Sequence, residues 1–123
     1  MTAQEITAPQ GRVQLGGEER EVRFDHAQIR ETELAWQALT GNVMGYLGIL
    51  YQADTGVFAA LEALMYGAMV SAQLAGGAKR MECLRLVRFD RRITYRDAQA
   101  AKDELVRLAQ MAIGEPGGDE KNA

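Results

Sequence analysis

Two side chains could serve as a nucleophile and its base, Cys83 and His26, and each is the single residue of its type in the sequence. A thiol needs a neighbouring base and an imidazole needs a group that orients it. His26 follows Asp25 at the predicted first turn of a helix, where a solvated surface role is expected, and Cys83 reads as a small half-buried residue. Together they offer only two of the four ligands a structural zinc requires, and one cysteine closes no intramolecular disulfide. The acidic clusters Glu18-Glu19-Glu21 and Asp103-Glu104 fall on a turn and on an outer helix face, where carboxylates are ordinarily solvated. Gly16-Gly17 is followed by acids and no lysine, and Gly76-Gly77-Ala78-Lys79 lacks the rest of a phosphate loop. The pattern predicts a protein that is not an enzyme, without catalytic residues, metal or cofactor.

Arginine carries a stronger signal. Lys79, Arg80, Arg85, Arg88, Arg91, Arg92 and Arg96 put seven of the fourteen basic residues into eighteen positions. Net charge is −5 before this stretch, +5 within it and −3 after it. Arginine outnumbers lysine eleven to three, and a guanidinium suits carboxylate or phosphate forks better than an ammonium does. Three readings follow: a solvated or self-paired face, a surface for an acidic protein, and a nucleic-acid site. The acidic total and the presence of only Phe89 and Tyr95 as nearby aromatics argue against nucleic acid. The candidate basic surface is Arg80, Arg85, Arg88, Arg91 and Arg92.

The middle of the chain is nearly free of charge. Between Leu34 and Ala78 only Asp54 and Glu62 are ionisable acids or bases of the Asp, Glu, Lys and Arg kind. The uncharged run from Leu34 to Ala53 has about the length that spans a bilayer. Gln37, Thr40, Asn42, Gln52 and its glycines make it a poor hydrocarbon solute, so a buried helical core and no membrane partner are expected. Met44, Tyr46, Leu47, Tyr51, Phe58, Met65 and Met69 are most simply core. They are also the candidate lining of an exposed apolar groove, because methionine lets one surface accept different apolar helices.

These residues need a frame. With 123 residues, 47% of them hydrophobic and 25% charged, the chain suits a single ordered domain. Residues 1 to 10 read as a flexible arm without a secretory signal, which predicts a cytoplasmic product. Arg12-Val13-Gln14-Leu15 and Glu21-Val22-Arg23-Phe24 alternate polar with apolar, the period of half-buried strands, about a turn spanning Gly16 to Arg20. A β-hairpin with Val13, Leu15, Val22 and Phe24 on one face follows. Asp25 is placed to cap a helix whose third residue is Gln28, with Phe24 and Ile29 as a hydrophobic staple. Ile29, Leu34, Trp36 and Leu39 form its predicted apolar side, and Thr40-Gly41-Asn42 ends it.

Asn42 is then placed to cap a helix from Val43 to Tyr51, and Asp54-Thr55-Gly56 leads into a longer one from Val57 to Leu74, stopped by Gly76-Gly77. Residues 79 to 92 read as a further helix. Thr94-Tyr95-Arg96-Asp97 is a capping box, followed by Ala98, Ala101, Leu105, Leu108 and Ala112 at amphipathic spacing and stopped by Gly114 and Pro116. The predicted fold is α+β and predominantly α-helical: an N-terminal hairpin and four to five helices in one domain over 11–114, with a disordered tail over 115–123.

The run from Gly11 to Asp25, ending Val22-Arg23-Phe24-Asp25 and leading into a capped helix and two apolar helices, resembles the small tail assembly chaperones of long-tailed phages and gene transfer agents. The likeness covers residues 11 to 72, is weaker at Ile93 to Ala98, and stops at the arginine-rich stretch. It implies a non-catalytic role in the host cytoplasm and not in the mature virion: binding the helical tape-measure protein and helping to recruit tail-tube subunits. Many members of that family are made in short and extended forms by a ribosomal slip, and Glu120-Lys121-Asn122 can be encoded by a slippery run of A. The alternative is a small helical nucleic-acid-binding or regulatory protein using the basic stretch. Gly45 and Gly48 permit close helix approach within a subunit or between copies, so a homo-oligomer stays open.

Overall fold

The hairpin closes on two glycines. In the computed structural model, which describes residues 8–114, β1 (Gln10–Leu15) and β2 (Glu18–Arg23) pair antiparallel from Leu15 opposite Glu18 to Gln10 opposite Arg23. Gly16 and Gly17 have φ of 60° and 86°, a conformation that matches strand twist and that residues with a Cβ disfavour. The turn is therefore two residues long, shorter than the five its composition suggested. Pairing also reaches back into the expected arm, since Phe24 N donates to the carbonyl of Pro9 at 2.9 Å. The rest of that arm and the expected 115–123 tail, with Glu120-Lys121-Asn122, lie outside the described residues. Val13, Leu15, Val22 and Phe24 are all buried, as the alternation requires.

Helix α1 (His26–Thr40) starts where expected: the Asp25 carboxylate accepts from Gln28 N at 3.0 Å, and Gly41 closes the helix at φ 79°. Its inward face differs from the predicted one only in part: Trp36 is buried and Ile29 and Leu39 pack against the core, as expected. Gln28, Glu31, Thr32, Ala35 and Trp36 are buried, while Leu34 is 55% exposed. Polar residues go inside because they are bonded there: Gln28 Nε2 donates to Thr32 Oγ1 at 2.9 Å and Tyr46 Oη donates to Gln28 Oε1 at 2.9 Å, which removes most of the cost of desolvating them.

Helix α2 is Tyr46–Asp54, displaced from the expected Val43 start. The reason is tertiary. Asn42 Nδ2 donates back to Thr40 O at 3.4 Å, so Asn42 finishes α1 and does not open α2. The first amide of α2, on Tyr46, instead reaches Glu33 Oε2 of α1 at 2.8 Å.

Helix α3 (Phe58–Ala75) is buried without interruption from Ala60 to Ser71. Its length and apolar composition would suffice to cross a membrane, and here it forms the centre against which α1, α2, β2, α4 and α5 pack. The basic stretch is only partly the helix it was expected to be. Arg80–Glu82 is a single 3-10 turn and α4 is Leu86–Arg92. Residues 79–84 do not join an α-helix because side chains take up their backbone groups: Lys79 N donates to Glu82 Oε1, Leu84 N to Gln73 Oε1, and Tyr66 Oη to Leu84 O, each at 2.8 Å. Helix α5 (Tyr95–Ala112) opens with the reciprocal Thr94–Asp97 bonds at 3.0 and 3.2 Å and covers β1. The architecture is α+β and mostly helical, a hairpin followed by five helices.

Candidate partner-binding surfaces

The seven residues expected to line an apolar groove separate into three groups. Met65 and Met69 are 0% and 2% exposed, and Tyr46 is buried with its hydroxyl on Gln28. These three belong to the core, because α3 is covered all round and α2 lays Tyr46, Ile49, Leu50 and Ala53 onto it. A methionine groove on α3 is therefore corrected: that helix has no outward face along its middle. Met44 and Phe58 are half-buried. The ring of Phe58 stacks on Tyr95 of α5 with centroids 6.1 Å apart. Leu47 and Tyr51 stand out from α2 at 65% and 68% exposure.

Two large apolar residues not expected at the surface join this last pair. Leu34 faces outward from α1, and Val43, in the connection to α2, is 82% exposed. Leu34, Val43 and Met44 line one hollow of about 230 Å³ with Arg30, Glu33, Gln37 and Gly45. Met44 also lies over Gly48, where a Cβ would come within 2.9 Å of its Cγ. Glycine at 48 thus lets Met44 rest against α2, next to the outward turn carrying Leu47 and Tyr51. The outcome is an apolar band over α1 and the start of α2, bordered by Arg30 and Glu33. Single exposed apolar residues are ordinary, but a cluster marks an interaction surface.

The five arginines also divide. Arg80 makes a two-pronged bond to Glu31, Nε and Nη2 each 2.8 Å from a carboxylate oxygen. Glu31 is buried, so Arg80 neutralises a carboxylate inside the fold and is withdrawn from the basic surface. Arg92 approaches Glu18 of the hairpin at 3.5 Å. Arg85, Arg88 and Arg91 are exposed, and among the described residues no acid lies within ion-pair distance of them.

Cys83 is buried, with Sγ 3.4 Å from Lys79 O. Burial pushes its thiol up, against formation of the reactive thiolate. His26 is exposed on the first turn of α1. Two further hollows, of about 370 and 420 Å³, lie between the hairpin and the end of α3 and are walled by Arg12, Arg20, Arg23, Glu19 and Glu21, and another of about 360 Å³ lies between β1 and α5.

No protein-family model matches this chain, and neither does any curated protein or solved structure.

Proposed function

We propose that this chain is a tail assembly chaperone of the kind made by long-tailed phages and gene transfer agents, one that covers the tape-measure protein in the host cytoplasm until tail-tube subunits replace it. The observation that carries this reading is the apolar band of Leu34, Val43, Leu47 and Tyr51, left in water by a domain that has buried all the methionines of α3. Leu47 and Tyr51 are one helical turn apart, the spacing at which an apolar stripe on a client helix meets its partner. The order of elements from Gly11 onward supports the same reading through its resemblance to that family.

The magnitudes suit a reversible grip. An apolar patch of roughly 300 Å² gives on the order of 7 kcal/mol of gross stabilisation at about 25 cal/mol per Å², and association and ordering costs consume most of it. Individually weak sites, repeated along a long client, bind firmly together and yield to a polymerising competitor. The test is co-expression of this chain with a tape-measure protein. The client is expected to move into the soluble fraction, and a client as insoluble with this chain as without it would overturn the proposal.

A further inference from the structure

We propose that the outward face of α4 is a docking site for an acidic protein helix, one whose Asp or Glu carboxylates recur once per turn along one side. This inference is independent of the tail-assembly reading and concerns a different surface.

At about 100° per residue, Arg88, Arg91 and Arg92 fall within roughly a third of the circumference of α4, and Arg85 precedes them by one turn. Phe89, about 100° round the helix from Arg88, is fully buried, 5.7 Å from the ring of Tyr66. That anchor holds the arginines outward. Arg85, Arg88 and Arg91 have no acid to pair with among the described residues, and Arg92 has only the long contact to Glu18. The exposed Val87 borders the arginines on the same side of the helix.

The chemistry of the occupant follows from spacing and charge. Side chains three and four residues apart on a helix lie about 5–6 Å from each other, which is also the separation of carboxylates on successive turns of a partner helix. The chain already shows the pairing such a partner would make, in the fork of Arg80 on Glu31. A nucleic acid fits less well. A total of −3 with +5 in residues 79–96 leaves −8 on the rest of the chain, which repels a phosphate backbone beyond the immediate contact. Val87 beside the arginines offers an apolar neighbour that a protein helix can cover and a phosphate backbone cannot.

The test is fluorescence anisotropy of the full chain with three labelled probes: a helical peptide with glutamates one turn apart along one face, a peptide of the same composition with the glutamates scattered, and a short duplex DNA. The striped peptide is expected to bind about tenfold more tightly than the other two, and Arg88→Gln/Arg91→Gln to weaken it about tenfold with an unchanged melting temperature. Equal binding of the scattered peptide, tighter binding of the DNA, or unaltered binding by the variant overturns the proposal. Arg85→Gln, outside the α-helical turns, gives the same readout should the double variant not fold.

Discussion

Ser71 of α3 donates its hydroxyl to Asp25 Oδ1, the carboxylate that caps α1, at 2.6 Å. The same carboxylate accepts from Gln28 N at 3.0 Å and from Arg23 Nε at 3.0 Å. One side chain thus ends the hairpin, starts α1 and fastens both to the central helix. Burial acts to raise its proton affinity, but the bonds from Ser71, Gln28 and Arg23 outweigh it and hold the carboxyl below its ordinary 3.8. The stability it contributes is therefore whole above pH 3.8 and is lost as pH falls through the lower folded value. Ser71→Ala is expected to cost about 1–2 kcal/mol and Asp25→Ala about 2 kcal/mol, read from urea denaturation at neutral pH, with the two losses less than additive because they share one bond.

Glu62 behaves in the opposite sense. It is 2% exposed in the middle of α3, and its Oε2 has no hydrogen-bond partner among the described residues. Burial, and then the nearby Asp90 of α4, push its carboxyl from the ordinary 4.5 up to about 8. The neutral acid is the form that the fold favours, so its contribution is whole below pH 4.5 and drains away as pH climbs to about 8. Denaturation midpoints measured between pH 5 and 9 should fall with rising pH in the parent chain. Glu62→Gln, which stays neutral and keeps a donor for Asp90, should remove most of that slope. A slope equal in both proteins would mean that Glu62 is not its source.

At Gly67, α3 closely approaches α1. A Cβ there would come within 2.9 Å of the backbone oxygen of Gln28 and run into the Thr32 hydroxyl. Backbone cannot yield as a flexible side chain can, so Gly67→Ala is expected to destabilise by about 2–3 kcal/mol despite alanine's better helix propensity. Thermal melts followed by circular dichroism test this directly, and a neutral or stabilising effect would refute it.

Arg80→Gln strands the buried carboxylate of Glu31. Because the arginine side chain is itself 52% exposed, the loss is expected near 1–3 kcal/mol, below that of a fully buried pair. Adding Glu31→Gln should return part of it, and a double-mutant cycle with zero coupling energy would show that the fork contributes nothing.

Leu47→Ser/Tyr51→Ser alters only outward side chains of α2. Stability should stay within about 0.5 kcal/mol of the parent, while the proposed solubilisation of a tape-measure client should be lost. Unimpaired solubilisation would move the proposed contact away from this band.

The elements whose signals are local were legible before any coordinates. The Asp25 and Thr94 caps and the period of α5 each depend on residues within four positions of one another, and each stands where those residues put it, while the hairpin turn stands at Gly16-Gly17 but without the three residues after them. What escaped is non-local. The start of α2 is set by Glu33 from the preceding helix, the exposure of Leu34 by buried polar residues on the other side of α1, and the withdrawal of Arg80 by Glu31, far earlier in the chain. The enclosure of Met65 and Met69 has the same origin, since a helix apolar all round gives no periodicity to separate a covered side from an open one. Leu47 and Tyr51 were identifiable as candidates by type alone, and Val43 had no pattern to reveal it.

β2 and α1 come off the ribosome before the segment that becomes α3, yet their greasy undersides, from Val22 to Trp36, pack chiefly on it. The growing polypeptide must therefore carry that sticky surface until Ser71 arrives to meet Asp25. Whatever shields nascent chains in the cell has its work concentrated in this interval of synthesis, and slow codons placed between residues 40 and 75 should raise aggregation more than slow codons placed after them.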